Sequence, residues 1–310
     1  GTVIYFEALR ELALESSVAK LTSREADVLV RAERGPTTIK EYVKVADAIV
    51  NEASARVQWM LRDSNRGGKT ATFFLSQPGQ EGDAGEDNAR AFFAFLPEFA
   101  SYASLGPLGR TPSDEAQLPA PGTPLEIEAI IPIESADLFG LVVGDRLSAV
   151  PFWKEKVPYA DVTITGIFER NNPDDAIWHM TDTVFAAATA ESFRTVPFYL
   201  SEQSYMAVLG ATFTDMDSTY VWLLDVDTGR LNAENAAQAF SGLRLLERRL
   251  SPVLFSYRQI TSLDEAIDEY DRRLFFSKVP MFIVLVLIAS VILYYVVTLS
   301  SLLVEQQRPE

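Results

Sequence analysis

The chain has 310 residues, and its 43 acidic residues outnumber its 27 basic ones to give a net charge of −16. This acidity argues against nucleic-acid binding, which needs clustered Lys and Arg, and it disfavours adsorption to anionic lipid. There is no Cys, and His179 is the only His, so disulfides, thiol nucleophiles and metal sites built on several histidines are excluded.

The first hundred residues alternate helical and strand patterns. Residues 5–21 predict an amphipathic helix whose apolar residues recur at mostly helical spacing, namely Phe6, Leu9, Leu12, Ala13, Val18 and Leu21. The stretch "ADVLVRAER" predicts a strand, and a helix capped by Thr37 or Thr38 is expected from Ile39 to about Leu61. Two further strands, "KTATFFLS" and "NARAFFAFLP", are joined by an acidic loop.

The second of these strands is unusually aromatic. Phe92, Phe93, Phe95 and Phe99 make both of its faces apolar. One face therefore offers a surface for a ligand or a partner. Packing in a hydrophobic core is the alternative, since aromatic residues dominate cores as well as interfaces.

A proline- and glycine-rich stretch marks the clearest boundary. Residues 105–124 hold five prolines and three glycines. Short strands follow it ("LEIEAIIPI", "DRLSAVPF", "DVTITGIFE"), then a helix around Glu191 and Ser192, the strand "STYVWLLDVD" and the helix "NAENAAQAFSGLRLLERRLS". We predict an α+β domain (1–104 and 199–261), joined by the linker 105–124 to a β-rich inserted subdomain (125–198).

Residues 262–278 predict a stalk helix. Ser262 and Glu265 have the spacing of a capping box. Apolar residues then recur on one helical face, namely Leu263, Ala266, Ile267, Tyr270 and Leu274. Because no Gly occurs from there to Val304, one helix of about 43 residues, or ~65 Å, is expected. Pro280 removes one backbone donor and is a candidate kink.

Residues 279–304 carry no charge and predict a membrane span. The apolar core of this segment, Val279–Leu299, reaches about 31 Å, close to the ~30 Å hydrocarbon thickness of a bilayer. Tyr294 and Tyr295 lie well inside it, so we expect them to face another helix. A stiff rod that transmits motion and a plain anchor with a helical neck both fit this pattern.

Other motifs are weak. "DSNRGGKT" lacks the first Gly and the following helix of a phosphate loop, so it predicts a hairpin turn. Ser17 and Lys20 match one element of serine acylases without the others. The spacing in "EGDAGED" does not fit a calcium loop, and no nucleophile partners His179. We predict no catalytic residues, no metal and no cofactor.

Four stretches occur in an order that is similar to a known family: "ESADLFGLVVGDRLSA", "VTITGIFERNNPDDAIW", "LDEAIDEYDRRLFFSKVP" and an apolar span ending "LLVEQQRPE". This order resembles the FtsX-like permeases of ABC transporters, with a MacB-like extracytoplasmic core domain. The residues that match the family's pattern are Ala136, Gly140, Gly144, Asp145, Gly166, Pro173, Asp174, Asp175, Trp178, Val304, Glu305, Arg308 and Glu310.

The resemblance implies a non-catalytic permease subunit in a bacterial inner membrane, with the large domain outside and residues 305–310 beginning a cytoplasmic segment. Its partners would be an ABC ATPase subunit, membrane lipid, a second permease copy or half, and an extracellular protein. The stalk would carry ATP-driven motion outward. The alternative is a membrane-anchored sensor that binds a ligand and has no ATPase. Further spans beyond Glu310 would favour the permease.

Overall fold

The computed structural model describes residues 2–35, 38–85, 88–115, 117–153, 158–185 and 193–306. The strands are β1 (Val28–Gly35), β2 (Leu61–Thr70), β3 (Phe73–Ser76), β4 (Ala89–Phe95), β5 (Ala103–Leu105), β6 (Leu125–Pro132), β7 (Arg146–Pro151), β8 (Ala160–Arg170), β9 (Arg194–Leu200), β10 (Ser218–Val226) and β11 (Arg258–Ile260). The helices are α1 (Thr2–Val18), α2 (Ser23–Ala26), α3 (Ile39–Arg56), α4 (Phe99–Tyr102), α5 (Ile133–Phe139), α6 (Trp178–Thr183), α7 (Glu202–Ser204), α8 (Gly210–Thr212), α9 (Ala236–Leu250) and α10 (Leu263–Gln306). The predicted α+β class is confirmed.

Four strands form an antiparallel sheet in the order β11-β1-β10-β2. Val30 of β1 pairs with Trp222 of β10, and Trp222 pairs on its other side with Arg66 of β2. Both faces of β10 are covered, because Tyr220 and Trp222 pack against Tyr42 of α3 while Val221 and Leu223 join the apolar cluster that contains α6. This two-sided burial explains why the β10 sequence is a nearly continuous hydrophobic run.

Six of the other strands close into a barrel, and β5 pairs with β8 outside the ring. β3, β7, β8, β6, β9 and β4 each pair with the next, and β4 pairs again with β3. The interior is filled by alternate side chains of each strand, and the ring of Phe93 lies 5.0 Å from that of Phe73 and 5.7 Å from that of Phe198. The ladder is thinnest between β6 and β9, where only Ile130 and Tyr199 pair.

The barrel and the sheet are joined through β2 and β4, where Gly68 pairs with Phe95 and Lys69 with Ala94. The segment 105–124 lies on the barrel: the backbone N–H of Arg110 donates to the Thr165 carbonyl (2.9 Å), and its guanidinium pairs with Glu128. The barrel therefore takes β3 and β4 from the first hundred residues. The predicted division of the chain into domains stays a prediction.

The predicted hairpin turn at "DSNRGGKT" is wrong, because this stretch forms the last eight residues of strand β2. The glycines are needed for close packing. A Cβ on Gly68 would lie 2.4 Å from the Phe95 ring and 2.8 Å from the Tyr220 ring, and one on Gly67 would lie 3.0 Å from Phe185. Glycine in a strand often marks such a close approach.

Two predicted helices differ in detail. α3 begins at Ile39 as expected but ends at Arg56, since Leu61 already belongs to β2. In α1 the buried face is formed by Leu14, Ser17 and Val18, whereas Leu12 is 63% exposed. The predicted stripe is therefore confirmed only in part. Val18 is buried and Ala13 and Leu21 pack against the core, whereas Leu12 is exposed because α1 packs along α10 with a neighbouring face. The helix expected around Glu191 and Ser192 lies outside the described residues, as does the side chain of Phe6.

Candidate functional site

The start of α10 is hydrogen-bonded to α2. The backbone N–H of Ser262 donates to the carbonyl oxygen of Glu25 (2.8 Å), and the Thr261 hydroxyl caps the helix by accepting from the N–H of Leu263 (3.2 Å). The N–H of Glu265 donates to the carboxylate of Asp264. Both backbone donors of the predicted Ser262–Glu265 capping box are thus used elsewhere, and that prediction is wrong.

The first third of α10 is buried against the domain. Its predicted apolar face is confirmed in full, with exposures of 0–7% for Leu263, Ala266, Ile267, Tyr270 and Leu274. This face packs against α1 and α9. Immediately after it, Phe275 and Phe276 are 66% and 69% exposed. The helix therefore leaves the folded domain at Leu274.

The remainder of α10 is long and apolar enough to cross a membrane. The segment Phe282–Ser300 has a mean hydropathy of 2.8, and none of it is buried in the chain. α10 continues through Pro280 to Gln306, and the predicted kink stays a prediction. Tyr294 and Tyr295 are exposed within this segment. Val304 and Glu305 belong to α10, while Arg308 and Glu310 lie outside the described residues.

The first family-like segment forms a helix and a tight turn. Ala136 is buried in α5, which ends at Gly140 with φ +67°. Gly144 has φ +100°, and the Asp145 carboxylate accepts the N–H of Val142 (2.8 Å). Both glycines therefore occupy the left-handed region, which residues with a Cβ rarely adopt.

The second family-like segment leads from β8 into α6. A Cβ on Gly166 would lie within 3.1 Å of Ile130 and of the Arg110 carbonyl, so this position has no room for a side chain. The Asp175 carboxylate accepts the N–H of Ile177, and Pro173 accepts a hydrogen bond from Arg24. Asp174 is exposed. These residues shape the loop that carries Trp178 into the protein.

Trp178 is buried at the centre of a charged and aromatic cluster. Its indole stacks on Phe168 (6.4 Å between centroids), and the Arg170 guanidinium lies over its ring at 4.7 Å. Asp182 pairs with both Arg170 (2.8 Å) and Arg24 (2.9 Å). Burial alone would raise the pKa of Asp182, but these two arginines hold it below its ordinary value. The indole N–H of Trp178 has no hydrogen-bond partner among the described residues.

Two cavities flank Tyr199 on the outside of the barrel, and we call them together the Tyr199 groove. One, of about 650 Å³, is lined by residues that include Pro132, Phe168, Trp178 and Pro197. The other, of about 480 Å³, is lined by residues that include Phe99. Both have the size of small-molecule or peptide pockets. Residues of the first two family-like segments line the larger cavity.

The predicted ligand surface on the aromatic strand is largely wrong. Phe92, Phe93 and Phe95 are 0–3% exposed, because β4 is covered on both faces. Phe99 alone reaches a cavity, where its ring contacts Phe168 at 4.5 Å between centroids. Sequence reasoning missed Tyr199, which adjoins Phe99 and Phe168 in space but is distant from both in sequence.

The weak catalytic motifs do not assemble into a site. Lys69 lies in β2 over the ring of Phe92, and Ser17 is buried while Lys20 is exposed. His179 is buried, and Nδ1 of its imidazole lies 4.0 Å from Oδ2 of Asp27. Burial raises the pKa of Asp27 to about 7 and lowers that of His179. No cluster of three metal-ligating side chains occurs among the described residues.

No protein-family model matches the chain, and no curated protein matches it. Among solved structures, the chain is similar to the periplasmic region of MacB from Actinobacillus actinomycetemcomitans, with a TM-score of 0.39 and 10% sequence identity. That similarity covers 83% of this chain and 98% of the other. At this score and identity it supports no argument about function.

Proposed function

We propose that this chain is the extracytoplasmic domain and the following span of an FtsX-like ABC permease. In this role it transmits motion: a separate cytoplasmic ATPase hydrolyses ATP, and the permease converts the resulting movement into work outside the membrane. The chain itself is not an enzyme. The order of the family-like segments supports the family, and the geometry of α10 supports the mechanism.

The single observation that carries the proposal is that α10 has two parts, one buried against the domain and one exposed and apolar. One continuous helix has a buried face on the domain up to Leu274 and an exposed apolar surface from Phe282 to Ser300. A displacement of the membrane end is therefore delivered to the folded domain through the face that holds Ile267 and Tyr270, which packs against α1 and α9.

The span also has a polar face that suits a second helix. Ser290, Tyr294 and Thr298 follow one another at intervals of four residues, and the hydroxyls of Ser290 and Thr298 donate to the carbonyls of Val286 and Tyr294. Within the described residues the structure gives no such bond for the Tyr294 hydroxyl. A hydroxyl in hydrocarbon is stabilised by a partner on another helix, which fits a second permease copy or half.

The experiment is a Gly-Gly-Gly insertion after Asp268 in the full-length transporter with its ATPase. We expect ATP hydrolysis to persist while the coupled action outside the membrane is lost, because glycines break the helical register of the stalk. The matched control is the same insertion after Gly122, an exposed turn residue with φ +82° whose surroundings are open to at least 4 Å from the position a Cβ would take. Coupled action that survives the Asp268 insertion would contradict the proposal.

A further inference from the structure

The Tyr199 groove exists because β6 and β9 stop pairing. Their single antiparallel pair joins Ile130 to Tyr199, and the same register places Pro132 opposite Pro197. Neither proline has an N–H to donate, so the ladder cannot continue there. The strands separate at this point, and both prolines line the larger cavity. The opening between β6 and β9 therefore follows from the positions of Pro132 and Pro197 in the sequence.

The floor of the groove is aromatic. The rings of Phe168 and Tyr199 meet edge-on at 5.5 Å between centroids, and the ring of Phe99 contacts both, at 4.5 Å from Phe168 and 6.1 Å from Tyr199. Tyr199 is only 5% exposed, and Arg170, Asp182 and Glu134 all act electrostatically on its hydroxyl. Tyr199 lines both cavities, and Arg170, Asp182 and Glu134 line the larger one. Aromatic floors with a few polar groups are typical of pockets that bind extended peptides.

The rim of the groove is acidic. Among the described residues, six carboxylates and one cation, Arg170, line the two cavities. The carboxylates are Glu98, Asp114, Glu134, Glu169, Asp182 and Glu202. Asp182 is paired with Arg24 and Arg170, and Glu202 with Arg66. The other four are exposed and form no ion pair with any residue that the structure describes. Their charge is available to an incoming cation.

We infer that the Tyr199 groove binds an extended segment of an extracellular protein partner that carries Lys or Arg side chains. The aromatic floor and the prolines contact the backbone and stems of the segment, and the unpaired carboxylates on either side of Tyr199 pair with its cations. A lysine or arginine stem is apolar along its length and charged at its end, which matches this division between floor and rim. The extracellular location rests on the proposed function.

The test measures peptide binding to the full chain in nanodiscs of neutral lipid, so that lipid does not attract the probe. The probe is an acetylated octapeptide of alternating Lys and Pro, compared with the Glu-Pro octapeptide and with spermidine. The groove variant is Glu134→Gln with Glu169→Gln. Its matched control is Glu15→Gln with Glu234→Gln, which removes the same charge from exposed positions outside the groove. Tyr199→Phe removes only a hydroxyl.

We expect saturable binding of the Lys-Pro peptide alone. The groove variant should raise its Kd about tenfold, Tyr199→Phe about threefold, and the control less than about twofold. Absence of saturable binding would overturn the inference. Equal losses in the groove and control variants would do so too, because they would indicate general attraction to an acidic chain, and equal binding of spermidine would exclude a polypeptide-specific site. No ATPase takes part in this binding measurement. Its outcome therefore does not depend on the outcome of the Gly-Gly-Gly insertion experiment.

Discussion

Oδ2 of Asp27 lies 4.0 Å from Nδ1 of His179, and neither atom has a hydrogen-bond partner in the described part of the chain. Asp27 precedes β1 and His179 lies in α6, so the pair joins the four-stranded sheet to the segment that carries Trp178. The other carboxylate oxygen of Asp27 accepts the N–H of Val226 at 3.1 Å. Burial raises the pKa of Asp27 to about 7.

This carboxyl should make the stability of the protein depend on pH. Its pKa in an unfolded chain is about 3.9, so between about pH 4 and pH 7 the folded state holds more protons than the unfolded one. The contribution of Asp27 to the free energy of unfolding therefore falls as the pH rises through this range, by on the order of 4 kcal/mol.

Asp27→Asn removes this dependence while keeping an oxygen that accepts from Val226. We expect the variant to unfold at a higher temperature than the wild type at pH 8, and the difference to shrink at pH 4.5. Thermal unfolding in detergent at the two pH values measures it, with the exposed Asp174→Asn as the control. A difference that is equal at both pH values would show that Asp27 does not titrate in this range.

Gly68→Ala should destabilise the joint between sheet and barrel. The new Cβ would lie 2.4 Å from the Phe95 ring, and overpacking of this kind costs about 1–3 kcal/mol. Gly106→Ala is the matched control, since its nearest neighbour is 3.7 Å away and φ is not positive. Denaturant unfolding gives the free energy of unfolding of each variant. Equal free energies of unfolding for the two variants would argue against close packing at Gly68.

Ile267→Ala should loosen the stalk from the domain. Ile267 is fully buried, and truncation of such a side chain costs about 2–5 kcal/mol. Phe276→Ala removes a larger side chain from the same helix, but one that is 69% exposed, so we expect little loss of stability. The comparison uses the thermal midpoint of the folded domain. If Phe276→Ala lowered the thermal midpoint more than Ile267→Ala does, the boundary of the domain would lie beyond Leu274.

Single cysteines can locate the membrane boundary, because the chain has none of its own. Asp271 and Ser290 are both exposed on α10. We expect a membrane-impermeant maleimide to label Asp271→Cys in sealed vesicles or cells and to leave Ser290→Cys unlabelled until the membrane is dissolved. Equal labelling of both positions in intact membranes would contradict a span at Phe282–Ser300.

The stalk helix could be predicted because the residues that determine it lie in one short stretch of the sequence. Five apolar residues at helical spacing specify one face, and all five are buried as expected. Gly140 and Gly144 were likewise predictable, since the need for a positive φ is a property of a single turn.

Features that depend on distant contacts could not be predicted. Gly67 and Gly68 suggest a turn until Phe95 and Tyr220 are known to lie against them. The Tyr199 groove requires β9 to pair with both β4 and β6, which are far apart in the chain. The apolar character of "NARAFFAFLP" reflects a strand shared by the barrel and the sheet rather than an exposed surface.

The central claim is that α10 is one rigid helix from the domain into the bilayer. Spin labels at Asp271→Cys and Ser300→Cys lie 29 residues apart, which in a continuous helix is about 44 Å. A pulsed electron–electron double resonance measurement in lipid nanodiscs should give one narrow distance distribution centred near ~44 Å. A broad distribution, or a mean below ~35 Å, would contradict the claim, because the helix would then be broken between the domain and the membrane.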